Sequence, residues 1–270
     1  MTRAVSVTRA APRLGVLDWG VGGMGFVRAL RQRAPGVPFL YVSDTGSTPY
    51  GKLSSSALAS RIDRVLDAIA AEGAVAVVVA CNAASTVLPL LARRAIPVTG
   101  VVEHALRLVP RSFRGTLGVL GGARTIRSGV YRRGLAAPGR RVVSRVAQPL
   151  SAHVEAGTAD SPGCRDAIDR ILRPLRHADA LLLACTHYPA IAPLLLERAP
   201  GACLYDPVDA LAAYVARVVV PPRFARLDRL ARPVPDRWLT TGDPRAMRSS
   251  TRRAWGFDPG PCARWLTAPR

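Results

Sequence analysis

The chain reads twice. Ala80-Cys81 and Ala184-Cys185 each close an apolar run, and eight residues beyond each cysteine stands Pro-Leu-Leu, as Pro89-Leu90-Leu91 and Pro193-Leu194-Leu195. Arg94-Ala95 and Arg198-Ala199 follow them. The upstream halves repeat at an offset of 103, with Leu14-Gly15-Val16-Leu17 matched by Leu117-Gly118-Val119-Leu120. This repeat constrains the fold more than any single segment does, because whatever structure one half adopts the other must adopt too.

Apolar runs alternate with amphipathic stretches, the pattern of a parallel sheet covered by helices. Strands are expected at Leu14 to Leu17, Phe39 to Val42, Ala74 to Val79, Ile96 to Val101, Leu117 to Leu120, Arg141 to Val146 and Ala180 to Leu183. A helix is expected from Ser54 to Ala71, where Leu58, Ile62, Val65, Leu66 and Ile69 share one face. The fold class is therefore α/β: two pseudo-symmetric three-layer α/β units with mainly parallel sheets, and an active site at their interface. Each unit puts one cysteine at the carboxyl end of a strand, where open α/β sheets bind ligands.

Two cysteines related by pseudo-symmetry can approach one carbon from opposite faces. That arrangement suits stereoinversion: one thiolate removes a proton and the opposite thiol delivers another. A strand end that opens a helix supplies backbone N–H groups and a positive helix end, which favour a reactive thiolate. The neighbours of Cys81 and Cys185, namely Asn82 and Thr186-His187, are polar and belong on a pocket wall, and His187 stands ready to tune Cys185 or relay a proton. Cys164, Cys203 and Cys262 are read as inert core residues.

The rest of the composition excludes more than it suggests. Five cysteines without a CxxC spacing fit neither a disulfide framework nor a thiolate zinc cage, so a reducing cytoplasm is expected. His104, His153, His177 and His187 form no ligand-spaced group, and no metal is expected. Lys52 is the single lysine, hence the one residue able to hold pyridoxal phosphate as a Schiff base, and it is read as a rim residue; no cofactor is expected. The net charge of +20 comes from scattered arginines with no block longer than a pair, which supports a nucleic-acid partner only weakly. Residues 73–92 are uncharged over nearly a membrane-spanning length, but Asn82, Ser85, Thr86 and Pro89 interrupt them, so a buried strand running into a helix is expected and no membrane contact. Residues 1–13 are basic, lack an apolar core and read as a disordered extension. One rival motif remains open: Gly20-x-Gly22-x-x-Gly25 after a strand, with Asp44 nineteen residues further on, fits a dinucleotide-binding turn, although Asp18 and Trp19 crowd it.

Several segments together resemble the cofactor-independent aspartate/glutamate racemase family. Asp18-Trp19-Gly20-Val21-Gly22-Gly23 is similar to its glycine-rich opening, and Asp44-Thr45 with Pro49-Tyr50-Gly51 to a second segment. Cys81-Asn82-Ala83-Ala84-Ser85 resembles its first cysteine motif, and Cys185-Thr186-His187-Tyr188-Pro189 stands unchanged as its second. Thr125-Ile126-Arg127-Ser128-Gly129, Glu155-Ala156-Gly157 and Thr241-Gly242-Asp243 look like further family segments. The resemblance implies racemisation of glutamate without a cofactor, supplying D-glutamate for peptidoglycan. It implies Cys81 and Cys185 as the two bases, with Asp18, Glu155 and His187 assisting. Pro49, Tyr50, Gly51, Asn82, Thr125 and Thr186 would hold the acidic substrate. Trp19 and Ala83 stand where the family has a serine and a threonine whose hydroxyls contact that substrate, which opens the alternative of aspartate or a less polar acid; one lost hydrogen bond to a charged group costs about 1–3 kcal/mol. The resemblance further implies a second domain, residues 99–207, inserted into a first one made of 14–98 and 208–270, and a homodimer is the expected assembly. Some members bind and inhibit DNA gyrase, so a binding role is the different-class alternative.

Overall fold

The computed structural model of the chain describes residues 11–225 and 233–266. Residues 1–10, most of the expected extension, lie outside the described residues. The first segment runs β1 (Arg13–Asp18), α1 (Met24–Arg33), β2 (Phe39–Ser43), α2 (Ser55–Ala71), β3 (Ala74–Val79), α3 (Asn82–Ser85) and β4 (Val98–Gly100). The second runs α4 (Val101–Leu108), β5 (Gly115–Gly121), α5 (Ala123–Ser128), α6 (Val130–Gly134), β6 (Arg140–Val146), α7 (Gln148–Ala156), α8 (Pro162–Leu172), β7 (Ala180–Ala184), α9 (Ala192–Arg198) and β8 (Cys203–Tyr205). The tail adds α10 (Pro207–Tyr214), a π-helical turn over Val215–Val219, α11 (Val220–Phe224), β9 (Arg237–Thr240), α12 (Pro244–Trp255) and β10 (Cys262–Arg264).

These strands make two parallel sheets, in the orders β10-β9-β2-β1-β3-β4 and β6-β5-β7-β8. The repeat seen in the sequence survives as register. Leu14 lies between Phe39 and Ala76, and its counterpart Leu117 lies between Val142 and Ala180. A slip of one residue in either copy would turn its apolar side chains to the wrong face.

Each sheet is covered on both faces, which is why its strands read as nearly continuous apolar runs. Alternation along β3 sends Val77 and Val79 toward α2, where they meet Ile62, Leu66 and Ile69. Ala76 and Val78 turn the other way, to Phe26 and Leu30 of α1 and Leu211 of α10. In the smaller sheet Leu181 and Leu183 meet Leu150, Ile168 and Leu195 of α7, α8 and α9, while Ala180 and Leu182 meet Ala105 and Tyr131 of α4 and α6. The helix α2 begins where Ser54 Oγ accepts the Ala57 N–H at 3.1 Å, satisfying one of the four donors that a helix start leaves free. Its five expected apolar residues are all buried, each stabilising the fold by roughly 1.5–3 kcal/mol.

Three expectations need correction. The fourth strand shrinks from Ile96–Val101 to β4, because Gly100 already caps α4 and Ser85 Oγ takes the Val101 N–H at 3.2 Å. β8, β9 and β10 were not expected, since runs of three or four residues are too short for alternation to register. Cys203 is exposed rather than in the core, because β8 is an edge strand; Cys164 is buried and Cys262 half-buried. The uncharged stretch 73–92 becomes β3 and α3, and no helix of the described residues is long and apolar enough to cross a membrane.

Candidate active site

Parallel sheets carry their loops at the carboxyl ends of the strands, and here the two sheets bring those ends together around one cavity of about 960 Å³. The larger sheet contributes Asp18 at the end of β1 and Trp19 just after it, the turn Pro49-Tyr50-Gly51 after β2, and Cys81-Asn82-Ala83 after β3. The smaller sheet contributes Thr125 in α5, Glu155 in α7, and Cys185-Thr186-His187 after β7. Every site residue expected from the sequence therefore lines this cavity. Lys52 is exposed at its edge. Arg124, Arg127, Gln148 and Ser151 were missed, although the two arginines flank the expected Thr125. They span the mouth from one unit to the other, Arg124 donating to Ser55 Oγ at 2.7 Å and Arg127 to the Gly51 carbonyl at 2.9 Å.

The two cysteines have unlike surroundings. Cys81 is 8% exposed. Burial pushes its thiol well above the ordinary value, the charges of Asp18 and Cys185 add to this, and the N–H groups of Ala84 and Trp19 only partly offset it. This reverses the expectation of a depressed thiol at a helix start, for α3 has four residues and its short dipole loses to desolvation. Cys185 is half-buried, and a 3-10 turn over Tyr188–Ile191 follows it rather than an α-helix.

His187 stands behind Cys185, with Nδ1 3.6 Å from Sγ and Nε2 2.6 Å from Glu155 Oε1. Burial alone would lower the imidazole, but its hydrogen bonds to Cys185 and Glu155 and their charges raise it well above the usual histidine value. Glu155 is the complement. Burial works to raise it, yet the His187 hydrogen bond and charge and the Val21 N–H, 2.8 Å away, hold the carboxyl below its ordinary value. On the other side Asp18 is 1% exposed; its carboxylate accepts the Trp19 N–H at 2.6 Å and the Thr186 hydroxyl at 3.0 Å. Burial nevertheless pushes this carboxyl up, with His187's charge opposing.

The glycine-rich turn serves this arrangement and not a dinucleotide. A Cβ on Gly20 would lie 1.9 Å from Glu155 Oε1, one on Gly22 2.5 Å from Thr186 Oγ1, and one on Gly25 2.5 Å from the Trp255 ring. The anion on the turn's Val21 N–H is the chain's own Glu155. Asp44, which the rival reading needs at a ribose, is fully buried and accepts from Arg61 at 2.9 and 2.5 Å and from the Tyr50 hydroxyl at 2.8 Å. Tyr50 thus lines the cavity with its hydroxyl already committed to Asp44. Trp19 forms part of the wall while its ring packs against the α2-side core, and its Nε1 is buried without a partner. Among the described residues no group of three His, Cys, Asp or Glu side chains is placed to hold a metal ion.

The fold and site thus define a duplicated α/β protein with a thiol from each of two sheets at one shared cavity. Residues 15–215 match the Asp/Glu/Hydantoin racemase family, and the chain belongs to that family. Glutamate racemase of Desulforudis audaxviator is 35% identical over 228 residues, covering 81% of this chain and 80% of that protein. The Pseudomonas aeruginosa enzyme of the same name is 32% identical over 251 residues, covering 90% and 94%. Among solved structures, glutamate racemase from Thermus thermophilus in complex with β-chloro-D-alanine superposes with a TM-score of 0.77 at 33% identity, covering 90% of this chain and 93% of that one. The fold is also that of the Francisella tularensis glutamate racemase bound to D-glutamate, with a TM-score of 0.82 at 22% identity and coverage of 95% and 98%.

Proposed function

We infer that the chain is a cofactor-independent glutamate racemase, an isomerase that interconverts L- and D-glutamate. The observation that carries this reading is the pair Cys81 and Cys185, which leave equivalent strand ends and line one cavity. One cysteine, as thiolate, takes the α-proton; the other, as thiol, gives its proton to the opposite face, and the roles exchange for the reverse reaction. Each turnover moves one proton onto sulfur and one off, so the balance closes without an oxidant or a cofactor.

Residues around the thiols support roles of their own. Glu155 holds a positive charge on His187 beside Cys185, the charge complement of the thiolate that the reaction calls for there. Asp18 contacts both Thr186 and the Cys81 side. The Thr186 hydroxyl donates to Asp18, so toward a ligand it is an acceptor, suited to the substrate ammonium. That ammonium also brings the positive charge that Cys81 lacks. The Asn82 amide, the Thr125 hydroxyl and the N–H groups of the Tyr50-Gly51 turn are donors suited to carboxylates. The reading carries with it a cytoplasmic enzyme, a homodimer, and D-glutamate for peptidoglycan.

Proton NMR with L-glutamate in D2O and no added cofactor tests it. Loss of the α-proton signal together with D-glutamate is expected; no exchange by folded protein would overturn the reading. Because Trp19 and Ala83 both line the cavity, the same experiment with L-aspartate decides the substrate preference: faster exchange of aspartate would move the assignment to that acid.

A further inference from the structure

Tyr131 played no part in the reading above. It stands at the start of α6, two residues after Gly129, whose left-handed backbone (φ +69°) ends α5 and begins α6 without a connecting loop. Its ring is buried among Val102, Ala105, Leu117 and Leu135 of the smaller unit. Its hydroxyl leaves that core and crosses to the other unit, donating to Asn82 Oδ1 at 2.5 Å. Asn82 is the residue after Cys81, is 3% exposed and lines the cavity, and its Nδ2 has no partner.

An amide has two unlike ends: the oxygen repels a carboxylate and the N–H2 group binds one. With no lock, the side chain can present either end. We propose that Tyr131 is a positioning residue that fixes the Asn82 amide, tying its oxygen away and holding its N–H2 group for a carboxylate of the substrate. The proposal rests on the racemase reading for the identity of that carboxylate. A buried donor without a protein partner is unfavourable, and an anionic ligand is what satisfies it. Burial and the charge of Cys185 push the tyrosine hydroxyl up, so it remains a donor at any working pH. Because the bond joins the two units, the carboxylate slot is complete only while the sheets keep their observed relation.

The test measures kcat and KM for glutamate exchange, and the Kd of glutarate, in wild type, Y131F, N82A and the double variant, with thermal melts alongside. Y131F keeps the buried ring. It is expected to raise KM and the glutarate Kd about tenfold while kcat changes less than about threefold. Adding Y131F to N82A should then change neither constant by more than about twofold. Unchanged KM and Kd in Y131F, or a second tenfold loss on N82A, would overturn the proposal, the latter by showing a general structural role. If Y131F melts below the assay temperature, N82D replaces it. Tyr131 can still donate to one carboxylate oxygen there, the other meets the ligand, and glutarate binding should fall more than about a hundredfold; unchanged binding would overturn the proposal. A wild type that binds glutarate yet never exchanges glutamate would count against the racemase reading alone.

Discussion

Cys81 and Cys185 occupy the same place in two copies of one strand pattern, yet one is enclosed with a carboxylate and the other faces an imidazole. Asp18 sits on the Cys81 side, and burial with that negative charge holds the Cys81 thiol protonated. His187, kept charged by Glu155, sits behind Cys185. Duplication therefore supplies the geometry, two sulfurs across one cavity, and divergence of the neighbours supplies unlike electrostatic surroundings. A site of two identical shells would treat both sulfurs alike, whereas here a carboxylate stands by one and an imidazole by the other.

The largest test of that comparison replaces each sulfur singly. Cys81→Ser and Cys185→Ser should each lower racemisation by about 10²–10⁴-fold with thermal stability nearly unchanged. Each variant keeps one base, so each should still exchange the α-proton of one enantiomer with retention, and the two variants should differ in which enantiomer they exchange. If both wash out the same enantiomer, the thiols do not address opposite faces.

A smaller effect is expected from Glu155→Gln, about 10–100-fold, because the amide keeps a hydrogen bond to His187 but removes the charge. The imidazole then falls back toward 6.5, so the rate loss should be greater at pH 8 than at pH 6. A pH-rate profile of parallel shape in both proteins would detach His187 from Cys185. The same pair sets a stability window. Glu155, lowered by folding, stabilises above its ordinary 4.5 and loses that contribution as pH falls through its depressed value. His187, raised by folding, stabilises below 6.5 and loses that contribution as pH rises through its elevated value. Denaturation midpoints of wild type and variant should therefore differ most between about pH 4.5 and 6.5, and converge on either side.

The smallest effect, Gly20→Ala, probes how the asymmetric side is docked. The new methyl meets the Glu155 carboxylate, which must leave its place on the Val21 N–H at a cost of about 1–3 kcal/mol. Racemisation should fall in step with the loss of the Glu155 contact. Full activity and stability would show that the glycine turn does not need its close approach.

Much of this was legible because it rested on apolar pattern and repetition. β3 was found to the residue, α2 to its capping serine, and the duplicated cysteines predicted both the paired sheets and the shared cavity. The edges were not legible. β8 to β10 carry too few residues to show a period, and β9 and β10 are defined by pairing with a sheet begun some 200 residues earlier. The glycine motif left a rival open in the opposite way: its spacing allowed a phosphate, and only the arrival of Glu155, Thr186 and His187 from the other unit, and of Trp255 from the tail, explains why those positions have no side chain.

By itself the sequence determined the doubled α/β architecture and the identity of the paired thiols, since both follow from local apolar runs and words that recur along the chain. Only the tertiary structure decided which carboxylate, imidazole or hydroxyl meets each sulfur, and that Tyr131 reaches Asn82. Those contacts join residues far apart in the chain, and burial then weighs on every charge among them; neither separation in space nor desolvation is written in the order of the residues.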